Sequence, residues 1–305
     1  MRPPLGILGV PTSAGAFAPG QEQAPQALRD AGLLEVLCRA GVQPRDHGDR
    51  EVWRWRPDRT SRRAQNLGAV VAVVKDTACR VQASVGNGEA TLVLGGDCTV
   101  GIGTVAGHMS SGERVGLIYF DAHADLNVPA SVPEGALDWM GLAHMLDEPG
   151  AAPELVHAGE RVPLLSADQV LLFGWDPVQA TDHEREAIER LGLSRIAVEE
   201  VAGDPEAAGA WAADWMAQRC ERVVVHFDVD VIDFTDVPLS ENTGRNKGLA
   251  YEPALRALGV LLEAGRVAAL TVTELNPDHA EDQGTLPRFA ADLGNSLAAA
   301  LASKT

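Results

Sequence analysis

The sequence predicts an α/β fold, a mainly parallel sheet with helices on both faces, and three observations carry that reading. Short apolar runs alternate with longer segments of helical pattern. Several of those runs are apolar nearly throughout, as "VGLIYF" at 115–120 is, which suits strands covered on both faces. No linker, repeat or low-complexity tract divides the 305 residues, so one domain spanning 1–305 is expected.

Taken in order, "LGILGV" (5–10) reads as the first strand and 24–40 as the first helix. A long helical pattern at 60–87 leads into the strand "TLVLGG" (91–96), which a double glycine ends. Then come a helix at 100–110, a strand at 115–121, a helix at 139–147, the strand "QVLLFGW" (169–175) and a helix at 181–191. The helix 205–220 precedes the strand "RVVVHFDVD" (222–230), the helix 252–264 precedes "VAALTVTEL" (267–275), and 284–302 reads as a last helix. The stretches 128–138 and 231–251, rich in Pro, Gly, Asp and Asn, read as functional loops.

A formal net charge of −18 argues against nucleic acid or an anionic membrane as partner, and would steer a cationic small molecule inward. The four cysteines (Cys38, Cys79, Cys98, Cys220) are scattered without a CxxC, as expected of free thiols in a reducing compartment. The N-terminal apolar run is too short for a signal peptide, and no charge-free run approaches the roughly 18–20 residues of a membrane span. A cytoplasmic location is expected.

Ligands of open α/β sheets bind beyond the carboxyl ends of the strands, so the residues there carry the functional argument. They are Asp97 and Cys98; Asp121, His123 and Asp125 of "DAHAD"; Asp228 and Asp230 of "DVD"; and Glu274. Carboxylates crowded together raise one another's pKa, and cations remove that penalty. An oxygen-rich set with one imidazole suits Mn²⁺, and several carboxylates within reach of each other suit a pair of ions that can activate water. Alternation in extended chain would turn Asp121, His123 and Asp125 the same way, and likewise Asp228 and Asp230. Asp97 reads as a turn or capping residue. The glycines of "GIGTVAG" (101–107) fall inside a helix pattern and do not make a dinucleotide loop.

With these residues in view, the chain resembles the arginase/agmatinase/formiminoglutamase family of ureohydrolases along most of its length. "GGDCT" resembles the family's GGDHS motif, "DAHADLNVP" its DAHxDxN motif, "FDVDVID" its FDxDxxDP motif, and "ELNP" the segment with its substrate-side glutamate. The N-terminal "GVPTSAGAFAPGQEQAPQALRDAGLLEVL" resembles the family's opening strand, loop and helix. The resemblance implies a three-layer α/β/α sandwich and two Mn²⁺ ions per chain. Asp121 and Asp228 would bridge the ions, Cys98 and Asp125 would complete one, and His123 and Asp230 the other. It further implies hydrolysis of a C–N bond in a guanidino or formimino group by a hydroxide shared between the ions. In that scheme Asp125 moves a proton to the leaving nitrogen, Glu274 binds the cationic group, and Asn127 contacts the far end of the substrate. Homo-oligomers are common among such relatives.

The departures matter as much. Family members usually carry His where Cys98 stands, and a thiolate there makes another divalent metal, such as Zn²⁺ or Fe²⁺, conceivable. Met140-Gly141 stands where arginases and agmatinases carry a His-Gly whose imidazole aids proton transfer; the nearest histidine, His144, reads as packing. N-hydroxyarginine hydrolases of the arginase type are similar in both respects, which points to a non-standard guanidino substrate. Asp233 lacks the family's following proline and reads as structural. Asp176 of "FGWDP" stands near the family's amine-binding aspartate, and Glu134 stands where arginases often have Ser, opposing an α-carboxylate. The remaining histidines read as surface or core; His226, two residues before Asp228, is the one that alternation would turn towards the rim. The competing expectations are a non-catalytic or single-metal binding protein on the same fold and a metal-dependent amide deacetylase.

Overall fold

Eight parallel strands form one sheet in the computed structural model, which describes residues 3–280 and 282–303. In chain order they are β1 (Leu5–Gly9), β2 (Pro44–Asp49), β3 (Ala90–Leu94), β4 (Val115–Phe120), β5 (Val170–Trp175), β6 (Ser194–Ala197), β7 (Arg222–Asp228) and β8 (Val267–Thr273). Across the sheet the order is β2-β1-β3-β8-β7-β4-β5-β6. The six expected strands are the inner six. The two that sequence reasoning missed, "PRDHGD" and "SRIA", are the edges, where one side needs no apolar cover and the apolar signature is absent.

Helices cover both faces. α1 (Ala24–Asp30), α2 (Leu33–Arg39), α8 (Val198–Gly203), α9 (Pro205–Ala217), α10 (Tyr251–Glu263) and α11 (Thr285–Ser303) pack on one, with Ile118, Phe120, Val225 and Phe227 beneath them. The other face carries α3 (Leu67–Gly86), α4 (Val100–Met109), α5 (Gly141–Met145), α6 (Pro153–Val156) and α7 (Asp182–Leu191), over Leu117, Tyr119, Leu172 and Val224. Alternate residues of one strand thus feed two cores, which is why the runs read as apolar throughout. The expected helix 24–40 is broken at Gly32, whose φ of 91° an L-residue rarely adopts. The pattern from 60 becomes helical only at Leu67, after Asn66 in the left-handed region. Among the described residues no helix is long and apolar enough to cross a membrane.

Because every strand runs the same way, the carboxyl ends of β3, β8, β7 and β4 lie side by side mid-sheet. The loop after β3 is drawn tightly to its neighbours. Asp97 N–H donates to the Thr12 carbonyl at 3.0 Å and Glu274 N–H to that of Gly96 at 2.8 Å. A Cβ on Gly96 would lie 1.6 Å from the Thr12 carbonyl oxygen, so this corner accepts only glycine.

Candidate metal centre and its cavity

The rim residues converge, though not by the route expected. After β7 the chain turns at once into a 3₁₀ turn (Val229–Val231), and the Asp228 carboxylate accepts the Asp230 N–H at 2.7 Å. After β4 Asp121 likewise accepts the His123 N–H, at 2.6 Å. Tight turns that cap their own backbone, not extended alternation, bring these side chains together. Asp125 takes a left-handed φ of 48°, which swings its carboxylate back under the strand to accept the Tyr119 phenol.

Among the described residues two groups of donor atoms result, each with its atoms within 4.8 Å of one another: Cys98, Asp121, His226 and Asp228; and Asp121, His123 and Asp230. Asp121 belongs to both, and neither includes Asp125. Cys98 Sγ lies 2.9 Å from Asp228 Oδ2 and 3.3 Å from His226 Nε2. His123 Nδ1 lies 3.1 Å from Asp230 Oδ2 and 3.3 Å from Asp121 Oδ1. Asp121 Oδ2 and Asp230 Oδ1 are buried with no hydrogen-bond partner. Buried carboxylate oxygens are rarely left so, and a cation between them is what such atoms fit.

The electrostatics say the same. Burial, then Asp230, pushes Asp121 up to about 7. Burial and the neighbouring carboxylates raise Asp228 well above the usual carboxylate range. Burial, then Asp121, does so for Asp125; burial lifts Glu274 as well, against its hydrogen bond from Gln21. Burial and then Asp228 hold the Cys98 thiol well above its ordinary value. For Asp230, burial acts upward but His123 outweighs it and the net shift is down. In the protein alone, a protonated His123 is therefore the counter-charge of the cluster.

A cavity of about 500 Å³ opens over the cluster. Cys98, His123, Asp125, Asn127, Glu134, Asp228, Asp230 and Glu274 all line it. Glu274 is pinned by the Cys98 N–H and by Gln21 Nε2, both donating at 2.9 Å. Asn127 Oδ1 accepts hydroxyls from Ser131 and Thr181. Asp176 is not in the lining. It holds a turn by accepting Val178 N–H and Gln179 Nε2, and Gln179 is the residue that reaches the cavity. Asp97 is a loop-holding residue, accepting the N–H groups of Gly15 and Thr99. His144 is buried packing, with Nδ1 at the Met140 carbonyl and Nε2 accepting Ala152 N–H.

Sequence reasoning missed Asp138, Glu184 and Glu241, carboxylates that complete the cavity wall from three separate loops and helices. No local motif marks them. It also passed over Tyr119 and set His226 aside. These two lie side by side in the β4–β7 register and stack with ring centroids 4.4 Å apart. A signal existed: each stands two residues before a rim aspartate, on the face shared with it.

Residues 4–300 match the family model described as the arginase family. The arginase of Bacillus caldovelox is 30% identical over 290 residues, covering 90% of this chain and 91% of that protein. The arginase of Bacillus subtilis is 28% identical, covering 96% and 97%. The crystal structure of the Bacillus caldovelox arginase superposes with a TM-score of 0.85 at 28% identity, over 97% of this chain and 98% of that one. The formimidoylglutamase of Bacillus subtilis shares the fold at 16% identity and a TM-score of 0.75. Match, superposition and the motifs at the strand ends agree: the chain belongs to the arginase family, hydrolases that act on C–N bonds of linear amidines.

Proposed function

We propose that this chain is a binuclear metal-dependent hydrolase that cleaves a C–N bond of a cationic guanidino or related amidine compound. The observation that carries the reading is the placement of Asp121 in both donor groups, with a buried oxygen lacking a partner. The group Asp121, His123 and Asp230 offers only oxygen and imidazole donors, a set suited to Mn²⁺. Cys98, Asp121 and Asp228 would hold the second ion. Divalent ions at such a site supply Lewis acidity and bring the ionisation of water near neutral pH.

The chain's own groups do the rest. Asp125, fixed by the Tyr119 phenol and facing the cavity, is the group to carry a proton from water to the leaving nitrogen. Glu274, locked by two donors opposite the cluster, orients the cationic head. Asn127 and Glu134 face the substrate's other end. The lining contains several carboxylates and, among the described residues, no Lys or Arg, so a substrate of net positive charge fits better than one presenting a carboxylate.

The test is turnover of Mn²⁺-loaded protein against a panel of guanidino compounds, including N-hydroxyguanidines, read as release of urea or hydroxyurea and amine. Asp121→Asn is expected to abolish it. Full turnover in that variant would refute the reading, and a metal content of one ion or none per wild-type chain would favour a binding protein.

A further inference from the structure

We propose that His226, on β7, is a metal ligand, so that one ion is held by Cys98, Asp121, His226 and Asp228 in a mixed sulfur, nitrogen and oxygen shell. The inference rests on the binuclear reading above and adds a donor from outside the four motifs, and with it a difference in kind between the two ions.

His226 is fully buried, and its Nε2 faces the cluster, 3.3 Å from Cys98 Sγ and 3.2 Å from Thr273 Oγ1. Thr273 has a hydroxyl proton to give to Nε2, while the Cys98 thiol donates to Asp228 and leaves its sulfur facing the ring, an arrangement that suits an Nε2 lone pair, the form in which imidazole binds a cation. The ring is held in that orientation from both sides. Tyr119 stacks on it with planes within 1°. Gly101 lies on its Nδ1 side, where a Cβ would come within 2.6 Å, so the glycine makes room for the imidazole. The donor atoms of His226, Cys98, Asp121 and Asp228 fall within 4.8 Å of one another, the span of a single coordination shell. Asp121 Oδ2, buried and without a hydrogen-bond partner, is a second observation that points to a cation at this shell.

A Cys-His pair at this distance has another use, as a thiolate nucleophile with its base. The surroundings oppose it. Asp228 lies 2.9 Å from the sulfur, and its charge together with burial disfavours a free thiolate there, which a cation bound to the sulfur would offset. With thiolate and imidazole in one shell, that site prefers Zn²⁺, Co²⁺ or Fe²⁺, while the Asp121, His123 and Asp230 group keeps the harder preference for Mn²⁺.

The experiment is a Co²⁺ titration of the full chain as wild type, His226→Ala and Cys98→Ser, followed by bound-metal counts and by the thiolate-to-cobalt charge-transfer band. Wild type is expected to take two ions and show the band. His226→Ala should weaken the band-bearing ion by about tenfold or more and leave the other at wild-type affinity. Cys98→Ser should lose the band. Two ions of wild-type affinity with an unchanged band in His226→Ala would overturn the proposal and leave the binuclear reading standing; no ion in the wild type would remove both. Should the variant fail to fold, X-ray absorption of wild type with one equivalent of Zn²⁺ decides. Sulfur at about 2.3 Å together with imidazole at about 2.0–2.1 Å supports the shell, and sulfur without imidazole, or no sulfur, overturns it. Turnover that survives chelation but not Cys98→Ser would assign the pair to covalent chemistry, and also overturns it.

Discussion

Replacing Tyr119 by Phe removes one oxygen and nothing else. The ring keeps its stack on His226, so no cavity of side-chain size appears. What is lost is the phenol's hydrogen bond to Asp125 Oδ2. Tyr119 is fully buried and Asp125 is 4% exposed, so bulk water does not take the donor's place. A hydrogen bond to a charged group contributes about 1.5–3 kcal/mol, and about 2 kcal/mol is expected here. For 305 residues at an unfolding entropy of about 2 cal/mol/K per residue, that lowers Tm by about 3 °C. The catalytic effect should be larger. Asp125 stands in the left-handed region, and the phenol is what fixes its carboxylate. Freed, it samples orientations unsuited to proton transfer, and kcat should fall by about 10- to 100-fold, part of the 10²–10⁴ that positioned acid–base groups contribute. KM and metal content should stay within about twofold, since Tyr119 is in neither donor group. Calorimetry and steady-state kinetics on the metal-loaded variant check both parts. An unchanged kcat with the expected loss of Tm would remove Asp125 as proton carrier, and no change in either would refute the account of the Tyr119–Asp125 pair.

Stripping the metal should make stability fall as pH rises. Asp121 is pushed up to about 7 in the fold, so between pH about 4 and about 7 the unfolded chain loses that proton first, costing the folded state about 4 kcal/mol by about pH 7. Urea midpoints of chelated protein should drop between pH about 4 and about 7 while those of loaded protein do not, and parallel curves would refute this. Gly96→Ala should destabilise by ~3 kcal/mol or more, because its Cβ meets the Thr12 backbone, which cannot move as a side chain can. A shift under about 1 kcal/mol in the denaturation midpoint would contradict that packing. Glu274→Gln should raise KM for cationic guanidino substrates by about tenfold and for neutral amidines much less. An equal change for both would mean that Glu274 holds the loop through Cys98 and Gln21 and does not read substrate charge.

How much was legible in the sequence followed from where each signal resides. The inner strands could be read because burial on two faces leaves only apolar residues along them, while "PRDHGD" and "SRIA" at the edges carry no such constraint. The rim residues were legible because each follows an apolar run directly, so that the end of the strand and the start of the chemistry are written together. The helix 24–40 looked continuous because its apolar spacing survives the break; only the backbone at Gly32 shows the turn.

The sequence by itself determined the parallel sheet, the rim from which Asp121, His123, Asp228 and Asp230 project, and the departure at Cys98. What surrounds that thiol was decided by the tertiary structure alone. His226 is 128 residues away, and it meets Cys98 because β8 sits between β3 and β7 in a strand order that no local pattern specifies. Asp138, Glu184 and Glu241 reach the cavity from separate segments in the same way. Strand identity is set by neighbours along the chain and is local; the shell of a metal site is set by which strand lies beside which, and that is a property of the packed sheet.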